Sequence, residues 1–167
     1  KTLDDALAIR RRMLLAFEEA ERERDPARQR HLLTFAIVGG GPTGVELAGA
    51  LAEIARHTLR REFDSIDPES ARIILIEAGP TILPSFPQKL RDFARRALRK
   101  LGVEVWEHSP VSNIEGDTLI VAGEPVRAHT ILWAAGVAGS ALGRTLGVEV
   151  DRAGRVIVEP DLSVPGH

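Results

Sequence analysis

The sequence of 167 residues contains no cysteine and no tyrosine, and only 4% of its residues are aromatic. The lack of cysteine excludes disulfide bonds, thiolate nucleophiles, cysteine-ligated metals and a Cys-x-x-Cys redox pair from this stretch of chain. The five histidines have no histidine or cysteine at helical metal-site spacing, so we expect no metal site. A chain without cysteine also fits a reducing compartment, and we therefore expect a cytoplasmic protein.

The sequence also lacks an excess of one charge and a long apolar run. Its net charge is -2, and its basic residues are interleaved with acidic ones, so we expect no basic face and no nucleic-acid partner. No apolar stretch approaches the ~18 residues that a membrane-spanning helix needs. The chain begins at Lys1 without the pattern of a signal peptide, and because it does not begin with methionine we expect a piece of a longer protein.

Helices and strands alternate over the first two thirds of the chain. Thr2 and Asp4 mark the start of an amphipathic helix, which "DPARQR" is predicted to interrupt. The elements predicted next are a buried strand over Leu32 to Val38, a crossover helix from Pro42 to about residue 63, a buried strand over Arg72 to Ile76, a helix from Gln88 to Leu101 capped by Gly102, and a strand at "VEVWE". Fully apolar strands separated by helices are typical of a parallel sheet.

The last third of the chain has a different pattern. Short strands at "VSNI", "TLIVA", "VRA" and "TILWAA", separated by turn residues, predict an antiparallel meander that returns to the main sheet. A short helix near Ser140 to Leu146 and a hairpin turning at Arg152-Ala153-Gly154 are predicted to follow. The chain as a whole is therefore predicted to be an α/β fold with a parallel central sheet, crossover helices and an antiparallel β-meander.

The stretch "VGGGPTGVE" places Gly39, Gly41 and Gly44 in the pattern G-x-G-x-x-G, between a predicted strand and a predicted helix. This context favours a dinucleotide-binding turn, because Gly39 would allow the tight turn, Gly41 the approach of a pyrophosphate, and Gly44 close packing of helix and strand. Backbone N–H groups and the positive end of the helix dipole would then face the anion. A glycine-rich turn that serves only close packing is the alternative.

An acidic residue, Glu77, ends the second buried strand. A carboxylate there can accept hydrogen bonds from the adenosine ribose hydroxyls and would repel the 2'-phosphate of NADP, so NAD is predicted to be preferred. Its spacing from Gly44 exceeds the usual ~20 residues, which we attribute to the long crossover helix and the loop "DSIDPES". An ordinary solvated glutamate at a strand end is the alternative.

Two further features lie at the predicted cofactor side of the sheet. Glu46 could orient the nicotinamide end of the cofactor, although any acid in a first helical turn gains from the helix dipole. Ala134, Ala135 and Gly136 offer bare backbone after another buried strand. They are predicted to form a second wall of the site, or only a turn that needs small residues.

The strings "KTLDDALAIR", "FAIVGGGPTGVELAGALAE", "GPTILPSF" and "ILWAAGV", taken in that order, resemble the NADH-binding domain of a type II NADH dehydrogenase. This family belongs to the pyridine nucleotide-disulfide oxidoreductase superfamily, and the resemblance implies a Rossmann-like NAD(P)-binding fold. It implies that NADH passes a hydride to FAD, which then reduces a membrane quinone. The residues that it assigns to NAD(H) binding are Gly39, Gly40, Gly41, Pro42, Thr43, Gly44, Glu77, Ala135 and Gly136, and the residue that it assigns to catalysis is Glu46.

The resemblance also implies a division of the chain. Residues 1–31 would be a helical stub from the flavin domain, 32–138 the NADH-binding domain, and 139–167 a return segment and hairpin toward the flavin domain. FAD, a second G-x-G-x-x-G and a membrane-associating segment would belong to the parent protein, which would be peripheral on the cytoplasmic face of the membrane. Apolar faces left by the missing domain predict a possible homodimer.

Two alternative functions remain open on the sequence alone. The same domain could come from an FAD-dependent reductase that acts on ferredoxin, oxygen or a disulfide. A non-enzymatic module that senses NAD(H) is the other.

Overall fold

The structure is a computed structural model that describes residues 2–136 and 138–166. Its helices within these residues are α1 (Leu3–Arg22), α2 (Pro26–Leu32), α3 (Pro42–Glu53), α4 (Gln88–Lys100) and α5 (Ala141–Thr145). Its strands are β1 (Thr34–Val38), β2 (Arg72–Ile76), β3 (Val103–Trp106), β4 (Val111–Glu115), β5 (Thr118–Val121), β6 (Glu124–Arg127) and β7 (Thr130–Trp133).

The strands form two sheets. Four of them make a parallel sheet in the order β3-β2-β1-β7, and β4, β5 and β6 make the antiparallel meander. The chain leaves β1 toward β2 and β3 on one side and returns to β7 on the other. The carboxyl end of β1 is therefore the switch point at which open α/β sheets bind ligands. The predicted fold class is confirmed.

Each face of the parallel sheet has its own apolar core. Phe35 and Ile37 of β1 pack with α1 and α3, and the Phe17 ring of α1 stacks on Phe35 with 5.8 Å between centroids. Ala36 and Val38 face the other way and pack with Leu119 and Val121 of the meander. Because successive side chains of a strand point to opposite faces, this explains why all five residues of β1 are buried.

The boundaries that differ most from the sequence prediction lie around α2 and at the end of α3. The stretch "DPARQR" does end α1, but it also begins α2, because the Asp25 carboxylate caps the helix and Pro26 occupies its first turn. Leu32 consequently ends α2, and β1 begins at Thr34. The crossover helix ends at Glu53 rather than near residue 63, and a π-helical turn, Ile54–Thr58, follows it.

The expectation that no basic face forms was wrong for α4. Helical geometry separates its charges: Lys89, Arg96 and Lys100 are exposed, whereas Asp92 is partly buried and paired with Arg95. Charge counted along the sequence missed this face because the acids that balance it lie in other elements. The absence of a nucleic-acid partner stays a prediction.

The chain divides into two compact units, Lys1–Ala135 and Gly136–His167. Within the second unit, Val150 and Val156 form an antiparallel bridge around a turn in which the Asp151 carboxylate accepts hydrogen bonds from the N–H groups of Ala153 and Arg155. The predicted hairpin is present. The predicted division at residues 31 and 138 stays a prediction. Among the described residues, no helix is both long enough and apolar enough to cross a bilayer.

Candidate functional site

The turn between β1 and α3 is formed by glycines that the surrounding backbone requires. Gly39 has φ +111°, and a Cβ there would lie 2.6 Å from the backbone nitrogen of Ala135. A Cβ on Gly44 would collide with the carbonyl oxygen of Gly39 and would lie 3.3 Å from the Leu75 side chain. Gly39 and Gly44 therefore allow β1, α3 and the segment after β7 to approach one another closely.

Gly41 is different, because nothing in the described part of the chain explains why it lacks a side chain. Its φ of -72° suits any residue, and an added Cβ would have no heavy atom of the described chain within 4 Å apart from those of its own chain neighbours. The first α-helical hydrogen bond of α3 runs from the Val45 N–H to the Gly41 carbonyl at 3.1 Å. Gly41 thus borders open space at the end of a helix whose first N–H groups have no α-helical acceptor.

Glu77 follows β2 directly and turns its carboxylate toward this glycine turn. One oxygen accepts a hydrogen bond from the Gly40 N–H at 2.6 Å, and the other accepts one from the Gly79 N–H at 2.6 Å. A Cβ on Gly40 would lie 2.9 Å from the same carboxylate. Gly40 must therefore be small for Glu77 to lie here, a requirement that the motif alone does not reveal.

The loop after Glu77 is tied to the same turn. The Leu83 N–H donates to the Gly40 carbonyl at 2.7 Å, and the Ile82 N–H donates to the Glu107 carboxylate at 2.9 Å. The Arg95 guanidinium donates to that same Glu107 oxygen at 2.9 Å. Sequence reasoning missed Glu107 and Arg95, because no motif joins them to the glycines.

The ionisation of Glu107 follows from these contacts. Burial would raise the pKa of its carboxyl, but hydrogen bonds from Arg95 and the Ile82 amide outweigh burial and hold the pKa below its ordinary range. The hydrogen bond to Glu107 raises the pKa of Arg95 in turn. Glu107 is therefore a carboxylate at neutral pH.

Strand topology brings most of the predicted site residues to one edge of the parallel sheet. Gly39, Glu77 and Ala134 directly follow β1, β2 and β7, whose carboxyl ends are adjacent. Pro42, Thr43 and Gly44 form the first turn of α3, and Ala135 lies against Gly39. Glu46 is exposed on α3, and Gly136, with φ +74°, begins the second unit.

A groove of about 450 Å³ borders this edge on the side of β7. Thr43 and Leu47 of α3, together with Trp133 and Ala134 at the end of β7, line it, and Ile9 of α1 contributes its apolar wall. Glu77 lies on the opposite side of the glycine turn, at β2. The edge therefore offers an acidic side, a central turn rich in N–H groups and a mainly apolar groove, in that order.

Comparison with known proteins relates this arrangement to one family. The family model described as pyridine nucleotide-disulphide oxidoreductase matches residues 1–166. The chain is 48% identical to the type II NADH:quinone oxidoreductase Ndh of Mycobacterium tuberculosis and 46% identical to NdhA of the same organism, in each case over 100% of this chain and 38% of the relative. The structure of NDH2 from Plasmodium falciparum in complex with NADH superposes with a TM-score of 0.78 and 27% identity, over 85% of this chain and 30% of that one. The chain thus spans well under half the length of these relatives.

Proposed function

The chain belongs to the pyridine nucleotide-disulphide oxidoreductase family, and from this premise we propose that it is the NADH-binding domain of a flavin-dependent NADH:quinone oxidoreductase. The identity to two type II NADH:quinone oxidoreductases over the whole of this chain supports the proposal. The open space beside Gly41 is the single structural observation that carries it.

The residues at the sheet edge fit NADH. The pyrophosphate would lie beside Gly41, where the N–H groups and the dipole of α3 favour an anion and no side chain intrudes. The Glu77 carboxylate, which already accepts two backbone hydrogen bonds, keeps lone pairs for the adenosine ribose hydroxyls. The same negative charge would repel the 2'-phosphate of NADPH.

The order of strands gives the bound cofactor a direction. With the ribose at Glu77 beside β2 and the pyrophosphate at β1, the nicotinamide would extend toward the β7 side, where the groove at Thr43 and Ala134 begins. Glu46 would orient the nicotinamide ribose or carboxamide, and the backbone of Ala135 and Gly136 would flank the ring. The family resemblance supports these roles, and Glu46 on α3 and Ala135 beside Gly39 also lie on the elements that form this edge.

FAD would be held by the rest of the whole protein, since the sequence contains one G-x-G-x-x-G and NADH would occupy it. When bound, the flavin supplies the acceptor for the hydride of NADH. This chain's own residues bind the dinucleotide, fix the direction in which it lies and set its preference for NADH. The isolated chain is therefore expected to be colourless and without NADH:quinone activity.

The proposal extends to location and assembly. The whole protein would be peripheral on the cytoplasmic face of the membrane, because its quinone acceptor is dissolved in lipid. The exposed side of α4 supports this, since Leu90 and Phe93 adjoin the cations Lys89, Arg96 and Lys100 in a pattern typical of helices that lie on anionic lipid. A homodimer would cover other exposed apolar side chains, which include Leu3, Leu7 and Leu15 of α1.

Gly41→Ala tests the proposed binding of NADH. We expect the variant to fold as the parent chain does, because φ and the surrounding space accept a Cβ, but to bind NADH about tenfold more weakly or worse as the methyl group enters the pyrophosphate position. Gly49→Ala is the matched control, since Gly49 lies farther along α3 and also has open space around it. Unchanged NADH affinity in Gly41→Ala, measured by titration calorimetry, would overturn the proposal.

A further inference from the structure

We propose that Glu107, held in place by Arg95, is a positioning residue that fixes the loop after β2 and, through it, the Glu77 carboxylate, and so sets the preference for NADH over NADPH. The inference rests on the proposed function, because the preference exists only if the dinucleotide binds at Glu77. Glu107 would act without touching the cofactor. Its effect would pass through protein contacts that can be followed one at a time.

The first contact joins Glu107 to the loop. Glu107 follows β3 at the edge of the sheet, and its side chain is only 19% exposed. Its Oε1 accepts the Ile82 N–H at 2.9 Å and the Arg95 Nη2 at 2.9 Å. Arg95 projects from α4 and also donates to the Thr81 hydroxyl at 3.1 Å and to Asp92 at 2.8 Å. The guanidinium therefore holds Glu107 against the loop from a rigid helix.

The second contact joins the loop to the glycine turn. The residue after Ile82 is Leu83, whose N–H donates to the Gly40 carbonyl at 2.7 Å. Ile82 itself is fully buried, and its Cγ2 would lie 2.8 Å from a Cβ on Gly40. The N–H of Ile82 thus binds Glu107, and the N–H of the next residue, Leu83, binds Gly40. A change at Glu107 would be transmitted to Gly40 over a single peptide unit.

The third contact joins the glycine turn to Glu77. The Gly40 N–H donates to one oxygen of Glu77, and the Gly79 N–H, from the near end of the same loop, donates to the other. Of the two groups that donate to Glu77, the Gly79 N–H therefore belongs to the loop, and the Gly40 N–H belongs to a residue that the loop binds through Leu83. If the loop moves, the carboxylate loses the two groups that aim it.

Backbone strain in the loop makes a tether necessary. Leu83 has φ +52°, in the left-handed region that residues other than glycine rarely occupy. Such a conformation persists only where the surroundings over-determine it. Here the amides of Ile82 and Leu83 provide that constraint, and Glu107 receives the first of them. Without Glu107 the loop is expected to relax away from this conformation.

Glu107→Ala, with Glu104→Ala as the matched control, tests the inference. Glu104 lies in β3, three residues before Glu107, and pairs with Arg72 at 2.7 Å. Glu104→Ala therefore also removes a glutamate that is paired with an arginine, but one that does not contact the loop. We expect Glu107→Ala to reduce the ratio of NADPH to NADH dissociation constants at least about threefold, and Glu104→Ala to leave the ratio unchanged. Glu107→Gln keeps an oxygen for the Ile82 amide and should fall between the two.

A double-mutant cycle separates positioning from simple stabilisation. In the Glu77→Gln background the charge that discriminates is gone, so Glu107→Ala should no longer alter the ratio. An equal change of the ratio in both backgrounds would overturn the inference. So would a Glu107→Ala chain that melts at a lower temperature but keeps the parental ratio, because that result indicates a structural role alone.

Hydrogen exchange in the chain without nucleotide gives a readout that does not depend on NADH. We expect faster exchange of the Leu83 and Gly40 amides in Glu107→Ala than in Glu104→Ala. Equal exchange in the two variants would overturn the tether itself. If the parent chain does not bind NADH, the proposed function fails, and the exchange data still decide whether Glu107 holds the loop.

Discussion

The Gly40 N–H donates a hydrogen bond to the Glu77 carboxylate at 2.6 Å, and so joins the acid that ends β2 to the turn that ends β1. This bond holds the carboxylate beside Gly40, the residue that precedes Gly41. Among the three glycines of the G-x-G-x-x-G motif, Gly41 is the one at which an added Cβ would meet open space. An anion-binding turn and an acidic group therefore lie side by side. That proximity makes the charge at residue 77 decisive for which dinucleotide fits.

Reversal of this charge is expected to reverse the preference. In Glu77→Arg the guanidinium would attract the 2'-phosphate of NADPH, and the ribose of NADH would lose a charge-assisted acceptor, worth about 1.5–3 kcal/mol. Titration of both nucleotides should show the preference for NADH narrowed or inverted by about tenfold or more. Glu53→Arg, an exposed position at the end of α3, is the control for the change of net charge. Stronger NADPH binding by the parent chain would contradict the role assigned to Glu77.

The sheet and the glycine turn could be predicted because their causes are local in sequence. The four apolar residues of β2, Ile73 to Ile76, and the glycines after β1 each carry their own signal, and the predicted bounds of β2, Arg72 to Ile76, agree with the structure. The small residues Ala134 to Gly136 were predicted as a second wall of the site or as a turn, and neither alternative indicated that Ala135 lies against Gly39.

Contacts that depend on tertiary structure could not be predicted in the same way. Glu107 and Arg95 lie on opposite sides of a helix-to-strand connection, and nothing in their spacing relates them to Ile82. The basic side of α4 was missed for another reason, because charge was counted over the whole chain, in which other elements supply the balancing acids. Within α4 the one acid, Asp92, pairs with Arg95.

Glu46 is expected to affect hydride transfer more than binding. It is exposed on α3 two residues after Gly44, where its carboxylate could reach the nicotinamide end of the cofactor rather than the ribose at Glu77. In the complete flavoprotein, Glu46→Gln should slow reduction of the flavin by NADH, while the NADH dissociation constant of the isolated chain changes less than about twofold. Stopped-flow absorbance measures the first quantity. An unaltered rate of flavin reduction would remove Glu46 from the catalytic assignment.

Acidification is expected to destabilise the chain through His31. Burial lowers the pKa of His31, and electrostatic repulsion from Arg127 and His129 lowers it further; together these effects outweigh the attraction of Asp117 at 3.1 Å. The folded state therefore resists protonation of His31 more than the unfolded state does. The resulting stability is present above the unfolded value of about 6.5 and is lost as the pH falls from there toward the folded pKa.

Urea denaturation at pH 7.5 and pH 5.5 measures this loss. The parent chain should unfold at a lower urea concentration at the acidic pH, and His31→Gln should reduce the difference. His57→Gln is the control, because His57 is exposed on the π-helical turn. Glu19, which lies 3.8 Å from His129, faces the same cluster. A pH dependence that His31→Gln leaves intact would assign the effect to other groups.

The exposed side of α4 is expected to bind anionic lipid. Phe93 is 65% exposed and Leu90 is 51% exposed, so both can enter the headgroup region, while Arg96 and its neighbouring lysines meet the phosphates. Each cation near an anionic surface contributes about 1 kcal/mol, so Phe93→Ser combined with Arg96→Glu should reduce the fraction of chain that floats with phosphatidylglycerol vesicles about tenfold. The matched control changes Leu162 to serine and Arg152 to glutamate, both exposed in the second unit. Binding that is equal on phosphatidylcholine vesicles, or equally lost in the control, would show that α4 is not the lipid-binding surface.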